Sequence, residues 1–153
     1  MRARQRLGLY PRKVDDPLVA HRLDMLIAAA DELRSVNYTG GSGFDFTRAT
    51  YAKSSLPPHL ANFARLLGDA DYFTPEMTVA DIKIYNVIWV SLQQVPTCLD
   101  ANPNLRAFLA RMEARPSIAT WQASAKKASL NFEYAAVVNP DGTGVKPAWQ
   151  PKR

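Results

Sequence analysis

Residues 78–92 read TVADIKIYNVIWVSL, a helix-start signal followed by a run that is apolar on almost every side, with an aspartate three residues in. An unpaired carboxylate inside such a run costs several kcal/mol, so Asp81 must either be held by hydrogen bonds or do chemistry. With Thr78 as N-cap, its hydroxyl can accept the N–H of Asp81 while the Asp81 carboxylate reaches back to the N–H of Thr78, which satisfies two orphan donors at once. Met77 before the cap and Ile82 after it are spaced for a hydrophobic staple across the same turn. Val79, Ile82, Ile84, Tyr85, Val87, Ile88, Trp89, Val90 and Leu92 cover most of the circumference, which predicts a helix buried at the centre of a bundle. Asp81 therefore reads as a structural cap. The competing reading, a catalytic carboxylate, lacks a second acid or histidine nearby in sequence. As a cap alone, Asp81→Ala should cost about 1–2 kcal/mol.

Outward from this helix, the chain continues as apolar stripes at helical spacing, and no strand pattern stands out. Asp16-Pro17 places a capping acid before a proline at the first helical position, and Val19, Leu23, Leu26, Ile27, Ala30 and Leu33 then recur on one face to about Val36. YTGGSGF at 38–44 ends that helix; no strand precedes it and no GK[ST] closes it, so it reads as a flexible connection rather than a phosphate cradle. Residues 46–67 contain Pro57 and Pro58, which predict a kinked helix. Leu60, Phe63, Ala64 and Leu67 form its later stripe, and Gly68 stands where a left-handed cap is wanted. Asn102-Pro103 repeats the cap-then-proline arrangement ahead of Leu105, Phe108, Leu109 and Met112. Pro116-Ser117 then starts a last helix with Ile118, Trp121 and Ala125. Trp89 and Trp121 read as core, and Tyr85 as core or pocket lining. The fold expected is all-α, a bundle of about five helices with a kinked second helix and an extended C-terminal tail.

The 153 residues, 47% of them hydrophobic, suffice for one core. The single cysteine, Cys98, excludes an internal disulfide and a zinc cluster of several cysteines, and suits a reducing, cytoplasmic compartment. No apolar stretch is long enough to cross a bilayer. MRARQRLG carries arginines without acids, as mitochondrial presequences do, but is short. The net charge of +5 is confined to the ends. Residues 1–13 hold five basic and no acidic side chains and residues 126–153 five basic and two acidic, so residues 14–125 carry nine basic against twelve acidic. A mildly acidic body with basic ends does not point to nucleic acid. Cys98 reads as a packed thiol with no local histidine partner, and His21 and His59 are too isolated to make a metal site.

The TVAD box opening an apolar helix, followed by CLDANPNLRAFLARMEARPSIATW, resembles the C-terminal helical domain of cytosolic glutathione S-transferases, the sigma and pi-like classes nearest. LDMLIAAADELR resembles the first long helix of that domain, SLPPHLANFARLLG its proline-kinked second, and LGLYP at 7–11 the segment after the thioredoxin-like domain. The resemblance implies a division into residues 1–13, a remnant of the interdomain segment; 14–130, the helical domain; and 131–153, an extended basic tail.

It also implies what each half supplies. In the family the thioredoxin-like half carries the residues that hold glutathione and stabilise its thiolate, and this sequence shows no match to them. The chain as given is therefore expected to lack transferase activity alone and to contribute no catalytic residue. By the same resemblance, Glu32 is the acid that reaches across a dimer toward the glutathione amino group, at a position where the family usually has aspartate. Asp31 and Glu32 read equally well as solvated helix charges. Ser35 and Tyr38 resemble positions lining the pocket for a small apolar electrophile. Glutathione is then a co-substrate only with the other half supplied, with no metal, and the partners implied are a second copy or a thioredoxin-like domain. The alternatives are a free-standing helical interaction or scaffold module and, third, a basic-tailed adaptor.

Overall fold

A computed structural model describes residues 17–39 and 50–124, with side chains 37–39 left aside. Asp16, the glycine-rich connection after Thr39, the segment of 1–13 and the tail with Ala125 and Trp149 lie outside the described residues. Among the described residues five α-helices follow one another: α1 (Pro17–Thr39), α2 (Leu56–Leu67), α3 (Val79–Gln94), α4 (Pro103–Glu113) and α5 (Pro116–Gln122), with a π-helical turn at Tyr51–Ser55 leading into α2. No strand occurs among the described residues.

The central rod is α3. Its Asp81, Ile84 and Ile88 are wholly buried and Tyr85, Val87 and Trp89 nearly so. It packs most extensively on α1, whose Leu23, Leu26, Ala30 and Leu33 are fully covered. These α1 residues alternate by three and four positions, the spacing that keeps one stripe against a neighbouring helix. Leu60, Phe63 and Leu67 from α2 and Leu105, Phe108, Leu109 and Met112 from α4 complete one continuous core.

At the start of α3, Thr78 has extended backbone and its N–H donates to Asp81 Oδ2 at 2.7 Å, while the Asp81 N–H is accepted by the Thr78 side chain. Met77 and Ile82 are both half-buried against the core, as a staple requires. The carboxylate does more than close this box. Thr78 Oγ1 donates to Oδ2 at 3.0 Å, and the N–H of Phe73 donates to Oδ1 at 2.9 Å, so Asp81 also holds the preceding loop.

That loop, residues 69–78, holds no helix and is tethered to the helices around it. Phe73 is buried edge-to-face between Phe63 and Phe108, at centroid distances of 6.0 and 5.3 Å. Arg22 of α1 donates to the carbonyls of Phe73 and Leu66 at 3.1 and 3.2 Å. Arg111 of α4 donates to the carbonyl of Asp71 at 2.7 Å and pairs with its carboxylate at 3.0 Å. A loop without a ladder of its own needs such partners for its backbone groups.

Several local expectations change in the structure. The irregularity around Pro57-Pro58 is a π turn: Leu56 donates to Tyr51 five residues back, and the prolines, which have no N–H to continue the ladder, follow in the first turn of α2. Gly68 has the positive φ expected of it (56°), but its ψ of −132° lies outside the left-handed helical region. The end of α2 is closed instead from a distance, by Asn104 Nδ2 donating to the carbonyls of Ala64 and Gly68 at 2.9 and 3.0 Å. Asn102 precedes Pro103 as expected, yet its side chain makes no capping bond. Trp121 is not core: it is 36% exposed, because α5 is only seven residues long and no described helix lies over that side of it.

Candidate functional site

Glu32, Ser35 and Tyr38, the residues singled out by sequence, all belong to α1. Glu32 and Ser35 are exposed and three positions apart, so they share one helix face. Tyr38 belongs to the last turn of α1, and its side chain lies outside the described residues. The neighbouring acids Asp31 and Glu32 differ in engagement. Both oxygens of Asp31 accept from Lys83 Nζ of α3, at 2.7 and 2.6 Å, whereas no hydrogen bond or ion pair engages Glu32 among the described residues. A free carboxylate on an exposed helix face can receive an ammonium group through a charge-assisted hydrogen bond. Asp81 has no such freedom, being fully buried with both oxygens bonded to backbone.

The remaining polar groups of the interior are inert by position. Tyr85 is core, its hydroxyl accepting from Gln122 Nε2 at 2.7 Å. Burial raises its phenol above the ordinary value, against the lowering effect of that bond. Tyr51 is covered as well; its hydroxyl donates to Ser91 Oγ at 3.4 Å, and burial holds its phenol well above the usual range. Cys98 is half-buried, and burial pushes its thiol up to about 12, outweighing the nearby Arg106 guanidinium. A thiol of that kind is a packing residue at neutral pH. His21 is exposed and His59 half-buried, and no group of three or more metal-ligating side chains occurs among the described residues.

These shifts have a signed consequence for stability. Tyr51, Tyr85 and Cys98 all keep their protons longer in the folded chain than in the unfolded one, where they ionise near 10.0 and 9.0. Below pH 9 the three groups leave stability unchanged; above it the unfolded state has shed protons that the native state retains, so stability falls as pH rises. Melting temperatures measured from pH 7 to 11 should decline from about pH 9, and Cys98→Ala should flatten the first part of that decline. A level profile to pH 11 would contradict the burial of these groups.

Sequence reasoning missed Lys83, Arg22, Asn104 and Arg111. Each makes its contact with a residue 36 to 52 positions away, and each reads in sequence as an ordinary solvated side chain. The one faint signal is Lys83 itself, a lone cation in an otherwise apolar run.

The fold and this face define an all-helical domain built on a capped central rod, whose longest helix carries exposed acids, Asp24 and Glu32, that no side-chain hydrogen bond or ion pair engages among the described residues. Residues 34–125 match the family described as glutathione S-transferase, C-terminal domain, and the chain belongs to that family. It is 31% identical over 127 residues to glutathione S-transferase P of Bos taurus, covering 77% of this chain and 57% of that protein. It is 34% identical over 92 residues to glutathione S-transferase Mu 1 of Oryctolagus cuniculus, covering 60% of this chain and 42% of the relative. The chain thus spans little more than half the length of these relatives at most. The pi-class glutathione S-transferase of Onchocerca volvulus shares the fold, with a TM-score of 0.71 over 83% of this chain and 62% of that one, at 24% identity.

Proposed function

We propose that this chain is the helical, electrophile-binding half of a glutathione transferase, working with a thioredoxin-like half that precedes it or associates with it. The reaction is attack of the glutathione thiolate on a small apolar electrophile. The observation that carries the reading is the free carboxylate of Glu32 on the outer face of α1, in a chain whose residues 34–125 match the family's C-terminal domain. In this reading Glu32 takes the glutathione amino group across a homodimer, and Ser35 and Tyr38 line the electrophile pocket. A free thiol ionises near 8.5, so the reaction at neutral pH needs a donor at the sulfur. The buried hydroxyls of Tyr51 and Tyr85 are already engaged, and thiolate stabilisation accordingly falls to the other half. The working unit is residues 14–130, with 1–13 as the joining segment and 131–153 as a basic extension, and its compartment is the cytoplasm.

The test is conjugation of glutathione to 1-chloro-2,4-dinitrobenzene, by the chain alone and by the chain fused behind a pi-class thioredoxin-like half. Turnover is expected from the fusion and not from the chain. Firm retention of the isolated chain on immobilised glutathione, or a fusion that folds but neither binds nor conjugates glutathione, overturns the proposal.

A further inference from the structure

The acids Asp31 and Glu32 are adjacent in sequence, but only one faces solvent uncompensated. Lys83 reaches across from α3 and sets its ammonium against both oxygens of Asp31, with the lysine about one-quarter exposed and the aspartate one-half. We propose that Lys83 is a positioning residue for glutathione binding: by occupying and neutralising Asp31, it leaves Glu32 as a single acceptor for the tripeptide's one ammonium group. The inference rests on the reading of Glu32 given above.

Net charge decides how this face receives glutathione. Glutathione brings one ammonium and two carboxylates, so a docking face that offers one carboxylate to the ammonium, with the neighbouring acid neutralised, attracts the amino end without strongly repelling the rest. A second uncompensated carboxylate at Asp31, one residue away and on a neighbouring face of α1, would meet glutathione as a whole and repel it through its surplus of one negative charge. At roughly 7 Å in water-like surroundings, one extra unit charge alters an interaction by about 0.6 kcal/mol, which is about threefold in affinity. Salt shortens the reach of such charges to about 8 Å at physiological strength and about 3 Å at 1 M.

The experiment uses the chain fused to a thioredoxin-like half and reads KM for glutathione, kcat and melting temperature in four variants. Glu32→Gln should raise the KM by tenfold or so with kcat little changed. Lys83→Met should raise it about threefold at low salt and hardly at all at 1 M salt. Asp31→Asn combined with Lys83→Met should bring the KM back to the starting value, although the bond between α1 and α3 is still missing and any loss in melting temperature persists. Asp31→Asn alone, which leaves the Lys83 charge uncompensated, should lower the KM by up to about threefold at low salt. A purely structural ion pair would give the opposite result, with Lys83→Met and the double variant alike in KM. An unchanged KM in Lys83→Met, with Glu32→Gln still impaired, overturns the role of Lys83 alone. An unchanged KM in Glu32→Gln overturns the assignment of Glu32 and this inference with it.

Discussion

Phe73→Ala is expected to remove about 3–5 kcal/mol of stability, the range for deleting a fully buried aromatic ring. Phe73 is 1% exposed, and its ring stands edge-on to both Phe63 of α2 and Phe108 of α4. No described helix supplies it; it hangs from the loop between α2 and α3, whose closure depends on it. The loss combines the transfer free energy of the ring, the cavity left between the two remaining phenylalanines, and the edge-to-face contacts, worth about 0.5–1.5 kcal/mol each. A domain with a total of about 5–15 kcal/mol is brought close to its limit by that change. Urea unfolding at equilibrium measures it, with Phe73→Leu as the control that keeps apolar volume and loses the ring geometry; leucine should cost less than half as much as alanine. A midpoint for Phe73→Ala close to the parent's would show that the loop is not clamped as described.

Asp81→Ala is the second large effect, expected at about 3 kcal/mol. An ordinary capping residue contributes about 1 kcal/mol, and the sequence alone supports only that scale. The structure raises it because the carboxylate is fully buried and also accepts the N–H of Phe73, a donor eight residues upstream. Alanine would leave the buried N–H groups of both Phe73 and Thr78 without an acceptor, at about 1–3 kcal/mol for each that finds none. Thr78→Ala removes only the hydroxyl arm of the box and should cost about 1 kcal/mol. The difference between the two variants gives the combined weight of the backbone contacts to Phe73 and Thr78. Equal destabilisation would mean that the bond to Phe73 carries no weight, and the role of Asp81 would shrink to that of a cap.

Helix identity and much of the core were legible in the sequence because they follow from local rules. The stripe Leu23, Leu26, Ala30, Leu33 states that one side of α1 is to be covered, and Leu105, Phe108, Leu109 and Met112 state the same for α4; all eight are buried. Proline at the first position of α4 and α5 marks their starts for an equally local reason, since a missing N–H costs nothing there. The same logic overreached at Trp121. Its place on an apolar stripe says that the position is suited to burial, but the partner must come from elsewhere in the chain, and among the described helices none arrives.

The candidate site divides along the same line. The family resemblance singled out Glu32, Ser35 and Tyr38, while the local sequence left Asp31 and Glu32 alike as solvated helix charges. The distinction comes from Lys83, 52 residues away, which the packing of α3 on α1 brings to Asp31 and not to Glu32. By itself, then, the sequence determined the helices, the cap of the central one and the apolar faces, because turns and stripes are set within a few residues. Only the tertiary structure decided how the loop before α3 is clamped, which tryptophan stays exposed and which acid stays free. Those outcomes depend on which distant side chain reaches a given spot, and no local periodicity carries that information.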